Sequence, residues 1–428
     1  MMSAPNRVSE KVPVSDDRAT LLLLLIAFVD AAGRGLFLAG ATFFYTQVVG
    51  LSNVEVGIGL ALAGLCGLVC AVPIGRLADR LGAARVLAFL QVWRMAGFLI
   101  YPFVDEFYSF LLIACFIGCV EQAVWPIIQT LVGSAVTADA YVKTMSKVAI
   151  VRNVAYMLAA GMFSIVVSFT TGPGGVIGML IANAMAFLVS AILLVSVKLP
   201  HVVTKASDQS QPVTPPAQPL KNLNFLSLSL CNGILSLHQA VMTIAIPLWL
   251  LTKTQAPKSL IGIILVINGI MAITLQLSFS KRGNEVLFAA RKHLYAGITL
   301  ALSCALVAFT TAEQPSYLVA GILLFACVVM TFGELWQCAG AWGISYYLSP
   351  VENRAYYLSI YALGANLMTV IFPGILPIAV VEAGSTGWIG LAVVFALAGV
   401  ATPLLVRSAN RKAIAVRSED ISVHSTQA

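Results

Sequence analysis

GRLADRLGAARVL, residues 75–87, sets Arg76, Asp79, Arg80 and Arg85 between two long apolar stretches. The stretch before it, 53–74, and the one that opens within it, 83–103, each match the roughly 20 residues a helix needs to cross a bilayer. A charged segment this short reads as a loop joining two membrane helices. The rest of the chain repeats the pattern. Of its 428 residues, 59% are hydrophobic and 10% charged, and the mean hydropathy is +0.93. No soluble domain needs that much apolar surface.

Working outward, twelve apolar runs fall at 19–49, 53–74, 83–103, 107–134, 144–169, 174–197, 222–252, 258–279, 293–312, 316–347, 354–381 and 386–407. In lipid every backbone polar group must be satisfied internally, so these runs form helices. A membrane β-barrel needs short alternating segments, which these are not. The expected fold class is therefore all-α integral membrane. No cleavable signal is expected, because residues 1–18 are polar and the apolar run from Ala19 is too long for one. The formal charge of +7 does not point to nucleic acid, because the basic residues lie between spans. They gather in alternate loops, with Lys253 and Lys258 the exceptions. The positive-inside rule then places both termini, and the loop at 198–221, in the cytoplasm of a cell whose inner (plasma) membrane holds the protein.

Residues 198–221 are rich in Pro, Ser, Thr and Gln and read as a flexible cytoplasmic linker. It divides a six-helix half at 1–197 from a second at 222–407, and leaves a polar cytoplasmic tail at 408–428, expected to be unstructured. The halves repeat weakly. VEVGIGL (54–60) resembles SLIGIIL (259–265), and GAAR (82–85) resembles FAAR (288–291). Glu121 precedes Asp139 by the same spacing as Glu334 precedes Glu352, and Asn153 and Asn366 follow those loop acids by equal steps. Parallel repeats about an axis along the membrane normal mark one transporter architecture.

The pattern Gly75-x-Leu77-Ala78-Asp79-Arg80-x-Gly82, followed by Arg85, resembles motif A of the major facilitator superfamily. Its place between spans two and three, the span count, the central linker and the repeat match as well, so the resemblance covers essentially the whole chain. GELWQCAGAWGISYYLSPVENRAYYL (333–358) is similar to the tenth span and following loop of many members. The chain departs from common family patterns in three places. Ala83 and Ala84 stand where basic residues are frequent, span four carries Glu121 instead of an arginine, and span five lacks a Gly-Pro motif. The resemblance implies two pseudo-symmetric six-helix halves, with spans one, four, seven and ten around a cavity. It also implies that Gly75, Asp79, Arg80, Gly82 and Arg85 latch the halves together. Asp79 is expected at a helix N-terminus, where the dipole favours an acid, with Arg80 and Arg85 pairing across helix ends.

A charge at the bilayer centre costs roughly 2.5–3.5 kcal/mol on insertion scales, so such residues mark function or a paired network. Asp30, Arg34, Arg94, Glu121, Arg152 and Glu334 all fall at depth. Asp30 and Arg34 are four apart on one helix face and are expected to pair. One acid of this set can take a proton without leaving the group strongly charged, which suits proton coupling. Phe37, Tyr45, Trp125, His238 and Trp336 are candidate cavity residues, and suggest an apolar or amphipathic substrate. The eight cysteines read as small packing residues, and no cofactor or metal is expected.

These features describe a monomeric secondary transporter working by alternating access on a small molecule, with protons and the lipid bilayer as its other partners. Export of a drug-like compound or secondary metabolite is the first reading, and proton-coupled import of a sugar or organic acid the second. An integral membrane enzyme would need a nucleophile–base set, and four scattered histidines supply none. A non-transporting receptor would need more than short tails. No GxxxxGK[ST] loop is present for ATP-driven pumping.

Overall fold

The computed structural model describes residues 17–169, 174–196, 219–283 and 285–426, and among them there is helix but no strand. Six spans come first: α1 (Asp17–Phe43), α2 (Asn53–Leu81), α3 (Ala83–Ile100), α4 (Phe107–Ala135), α5 (Ala138–Phe169) and α6 (Gly174–Ser196). Six more follow: α7 (Leu223–Lys253), α8 (Leu260–Phe279), α9 (Val286–Ala308), α10 (Ser316–Tyr347), α11 (Arg354–Leu376) and α12 (Ser385–Thr426). All except α9 are long and apolar enough by composition to cross a membrane. The first turns of α9 carry Arg291, Lys292 and His293. Lys292 Nζ donates to the carbonyls of Phe279 (2.7 Å) and Lys281 (2.8 Å), so its charge closes the C-terminal end of α8.

Several ends differ from the sequence reading. Helix α5 begins at Ala138 rather than 144, and α9 at Val286 rather than 293, because polar first turns extend the helices beyond their apolar stretches. Helix α12 does not stop at 407 but runs to Thr426, through a tail expected to be unstructured that contains neither glycine nor proline. Of the linker, residues 198–218 lie outside the described residues, and Pro219–Lys221 form a single 3₁₀ turn.

Three spans change helical period. Helix α1 ends in a π turn at Phe44–Val48. Within α7 the α-helix stops at Ser236, a π turn covers Val241–Ala245, and helix resumes at Ile246–Lys253 with Pro247 in its first turn. Helix α11 passes into a π turn at Pro377–Glu382. In α7 and α11 a proline ring has no N–H to donate, and the wider turn accommodates the lost hydrogen bond; α1 has no proline.

Small residues decide which helices approach closely. Gly59, Ala63, Gly67, Ala71, Gly75 and Ala78 form one buried stripe along α2. Against it Gly118 of α4 abuts the Ala63 carbonyl, and Ser359 and Ala355 of α11 abut Gly75. Glycine-lined seams of this kind let backbones meet without a hydrophobic driving force between helices. Helix α2 thus packs on α4 within its own half and on α11 of the other. In the second half, Gly364 of α11 meets Ser229 of α7, whose hydroxyl accepts from Gly364 N (3.0 Å) and donates to the Tyr361 carbonyl (2.8 Å). A Cβ on Gly364 would fall on the Ser229 carbonyl.

Gly364→Leu should therefore destabilise the protein by about 1–3 kcal/mol or more through overpacking. Gly374→Leu, on the same helix but with no atom within 4 Å of its added Cβ, should not. Thermal unfolding of the two purified variants in one detergent checks the difference.

Candidate functional site

Five of the six intramembrane charges meet in one cluster at the centre of the first half. Asp30 of α1 is its hub. Its Oδ1 accepts from Arg94 Nη1 of α3 (2.6 Å) and from Gln91 Nε2 (3.0 Å), and its Oδ2 accepts from Arg152 Nη1 of α5 (2.8 Å). Glu121 of α4 pairs with Arg34 Nε (3.1 Å) and Arg94 Nε (3.0 Å). Asp30 and Arg94 are each 1% exposed, and exposure rises through Glu121 (21%) to Arg34 (37%). Three guanidiniums face two carboxylates, which leaves one positive charge.

The expected Asp30–Arg34 pair does not form. Arginines from α3 and α5 already occupy both Asp30 oxygens, and Arg34 turns to Glu121 instead. Aromatic faces complete the shell. The Arg94 guanidinium lies 3.8 Å from the Phe187 ring centre, and that of Arg152 lies 4.9 Å from Trp125. Gln91, Ser190, which accepts from Gln91 Nε2 (3.1 Å), Tyr156, which accepts from Arg152 Nη2 (2.8 Å), and Phe187 were not singled out from the sequence. Gln91 had a signal, since it lies three residues before Arg94 on the same helix face.

A cavity of about 190 Å³ adjoins the cluster, enclosed by α1, α2, α3 and α4. Arg34, Arg94 and Glu121 form its charged wall, and Phe37, Phe98 and Leu60 belong to its apolar walls. Tyr45 and Tyr101, whose hydroxyls are 3.0 Å apart, close one end. Of the expected cavity residues, Phe37 and Tyr45 line this pocket and three do not. Trp125 packs beneath Arg152 instead. His238 is buried within α7, its Nδ1 bonded to the Leu235 carbonyl (2.9 Å). Trp336 joins Phe279, Tyr295 and Phe332 in an aromatic group.

Glu334 stands apart from the cluster. It accepts from Asn268 Nδ2 of α8 (2.7 Å), and Asn268 also donates to Thr331 (3.1 Å). Among the described residues no basic side chain comes within ion-pair distance of it. The cysteine pairs on α2 and α4 face each other, Cys66 beside Cys115 and Cys70 beside Cys119. Among the described residues no group of His, Cys, Asp or Glu is arranged to hold a metal.

Polar contacts between the halves gather at the end of the bundle where α1 begins. Asp79 is in the last turn of α2, not at the start of its own helix. The N-terminus it serves is that of α11: its Oδ1 accepts from Ala355 N (2.8 Å) and its Oδ2 from Tyr356 N (2.9 Å). Asn353, the residue before α11, makes no side-chain cap, so Asp79 supplies one from the opposite half. Arg76 donates to the Tyr356 hydroxyl (2.5 Å) and lies over its ring. Arg80 and Arg85, expected to pair across helix ends, are exposed and, among the described residues, contribute no ion pair. Gly75 provides the close approach to Ser359, and Gly82, at φ +93°, turns the chain from α2 into α3. Beside this contact the Tyr141 and Tyr346 rings stack at 3.9 Å, with the Arg354 guanidinium 4.1 Å from the Tyr346 ring centre.

A helical bundle with a charged cluster at mid-depth and polar contacts between its halves is the architecture of a membrane transporter. The model of the Major Facilitator Superfamily matches residues 23–333, and the chain belongs to that family. It is 22% identical over 363 residues to the uncharacterized MFS-type transporter YdeE of Escherichia coli (strain K12), covering 81% of this chain and 85% of that protein. Solved structures share the fold at low identity. A bacterial homologue of the iron transporter ferroportin, in its outward-facing state, is 15% identical, with a TM-score of 0.71 over 91% of this chain and 99% of that one. The proton:xylose symporter XylE is 14% identical, with a TM-score of 0.68 over 92% and 96%. FucP in the outward conformation is 14% identical, with a TM-score of 0.64 over 90% and 98%. The protein is therefore a transporter and not an enzyme.

Two outcomes follow from this geometry. Asp30→Asn takes the ion-pair partner from buried Arg152 and leaves Arg94 with Glu121 alone, and should cost about 3–5 kcal/mol, whereas Arg34→Gln, at the accessible edge, should cost at most about 1 kcal/mol; thermal unfolding compares them. Asp79→Asn removes a charged cap worth about 0.5–2 kcal/mol and should loosen the latch. Spin labels on Arg80→Cys and Glu352→Cys, one on each half, should then show a longer and broader distance distribution than with Asp79 intact.

Proposed function

We propose that the protein is a proton-coupled exporter of small amphipathic molecules, working by alternating access with its termini in the cytoplasm of the cell's inner membrane. The observation that carries this reading is Glu121. It is the more exposed of the cluster's two carboxylates, it lines the pocket, and both its ion-pair partners among the described residues are arginines. A proton bound there breaks the pairs with Arg34 and Arg94 at once. That frees α1 and α3 from α4 at the depth where a substrate would sit. Glu334, with an amide partner and no cation beside it among the described residues, is a second proton carrier at the matching position of the other half. The latch of Asp79 and Arg76 holds the cytoplasmic end closed, leaving the pocket to the opposite side.

The apolar character of the pocket favours an amphipathic cargo. A second reading, proton-coupled import of a polar solute, draws on the description of XylE as a proton:xylose symporter. Cells lacking other efflux systems and carrying the protein should accumulate less of a suitable amphipathic compound. An uncoupler, or Glu121→Gln, should abolish the difference, leaving accumulation within about twofold of empty cells. Raised accumulation of a sugar or organic acid, again dependent on the gradient, would establish import instead. Full proton-dependent transport in Glu121→Gln and Asp30→Asn alike would remove the cluster from the coupling.

A further inference from the structure

The pocket and the cluster together specify the chemical class of ligand. The cluster carries an odd positive charge in surroundings where an uncompensated charge is expensive. The guanidiniums are not equally placed to attract an anion. Arg94 is buried against Asp30, Glu121 and the Phe187 ring, and Arg152 against Asp30 and Trp125. Among the described residues Arg34 forms one ion pair, with Glu121; it is the most exposed of the three and lines the pocket. The unmatched charge is therefore presented to the pocket at Arg34. A planar guanidinium matches a carboxylate in shape as well as charge.

The rest of the pocket is apolar. Phe37 and Phe98 meet edge to face at 4.7 Å, and Phe98 stacks on Tyr101 at 5.5 Å. Leu38 and Leu60, 56% and 48% exposed, also line it and leave it open. At about 190 Å³ the space suits a single ring or a short chain and excludes most drug-sized molecules.

We infer that this pocket binds small apolar monocarboxylates, the carboxylate on Arg34 and the hydrocarbon body against Phe37, Phe98 and Leu60. The site lies inside the first half, among α1 to α4, and needs no residue of the second half. Its physiological meaning, the cargo class, rests on the transport reading above; its occupancy does not.

The test is equilibrium binding to the purified full chain in lipid nanodiscs, with no gradient and with empty nanodiscs as reference. Benzoate, benzyl alcohol and benzylamine serve as anionic, neutral and cationic probes of one size. Saturable benzoate binding at least tenfold tighter than either other probe is expected. Arg34→Gln should weaken it at least tenfold, and Leu60→Trp, which fills the pocket away from the charges, should abolish it. Both variants are to elute as monodisperse protein. Equal binding of benzoate and benzyl alcohol, tighter binding of benzylamine, or no saturable benzoate binding to the native protein would overturn the inference, and none of these depends on either variant folding. Benzoate binding without proton-dependent efflux would uphold the site and refute the transport reading. Efflux of other compounds without benzoate binding would do the reverse.

Discussion

The carboxylate of Asp30, held between Arg94 and Arg152, is the interaction on which the first half depends. It ties α1, α3 and α5 together at mid-depth, where water cannot substitute for a missing partner. A buried ion pair adds little net stability over an apolar replacement, yet loss of one member leaves a charge stranded. Its value here is positional. Once both Asp30 oxygens are occupied, Arg34 is released to Glu121, and that second pair reaches the edge of the pocket. The accessible chemistry is thus a by-product of how the inaccessible pair is satisfied.

The second half solves the same depth differently. Glu334 occupies the position related to Glu121 by the sequence repeat, but its neighbour is the amide of Asn268. Two related folds of chain therefore offer unlike electrostatics: a net cationic cluster on one side and a lone acid on the other. Between them, α2 and α11 pack through a seam of small residues, which places Asp79 and Arg76 against the start of α11 at its terminal end.

Much of this was legible in the sequence. Apolar runs gave the twelve spans, because a membrane leaves the backbone few alternatives. The GRLADRLG stretch located a polar contact between the halves, and the cost of intramembrane charge singled out six residues, five of which meet. Pairing was less legible. Spacing along one helix suggested Asp30 with Arg34, but neighbours from α3 and α5 decided otherwise, and nothing in a linear pattern ranks partners from different helices. Trp336 and His238 lie on spans expected to line a cavity, yet each turns to its own packing partners, since rotation about a helix axis is set by tertiary contacts. Asp79 was expected at a helix N-terminus; it lies in the last turn of its own helix and meets the N-terminus of α11.

That acid has a consequence for the divergence of related chains. Asp79 grips α11 through the backbone amides of Ala355 and Tyr356, not through their side chains. Every residue type except proline offers the same amide, so the requirement falls on one partner alone. Relatives can vary position 355, within its packing limits, while the aspartate stays fixed. A search for paired substitutions between the halves would therefore pass over this contact.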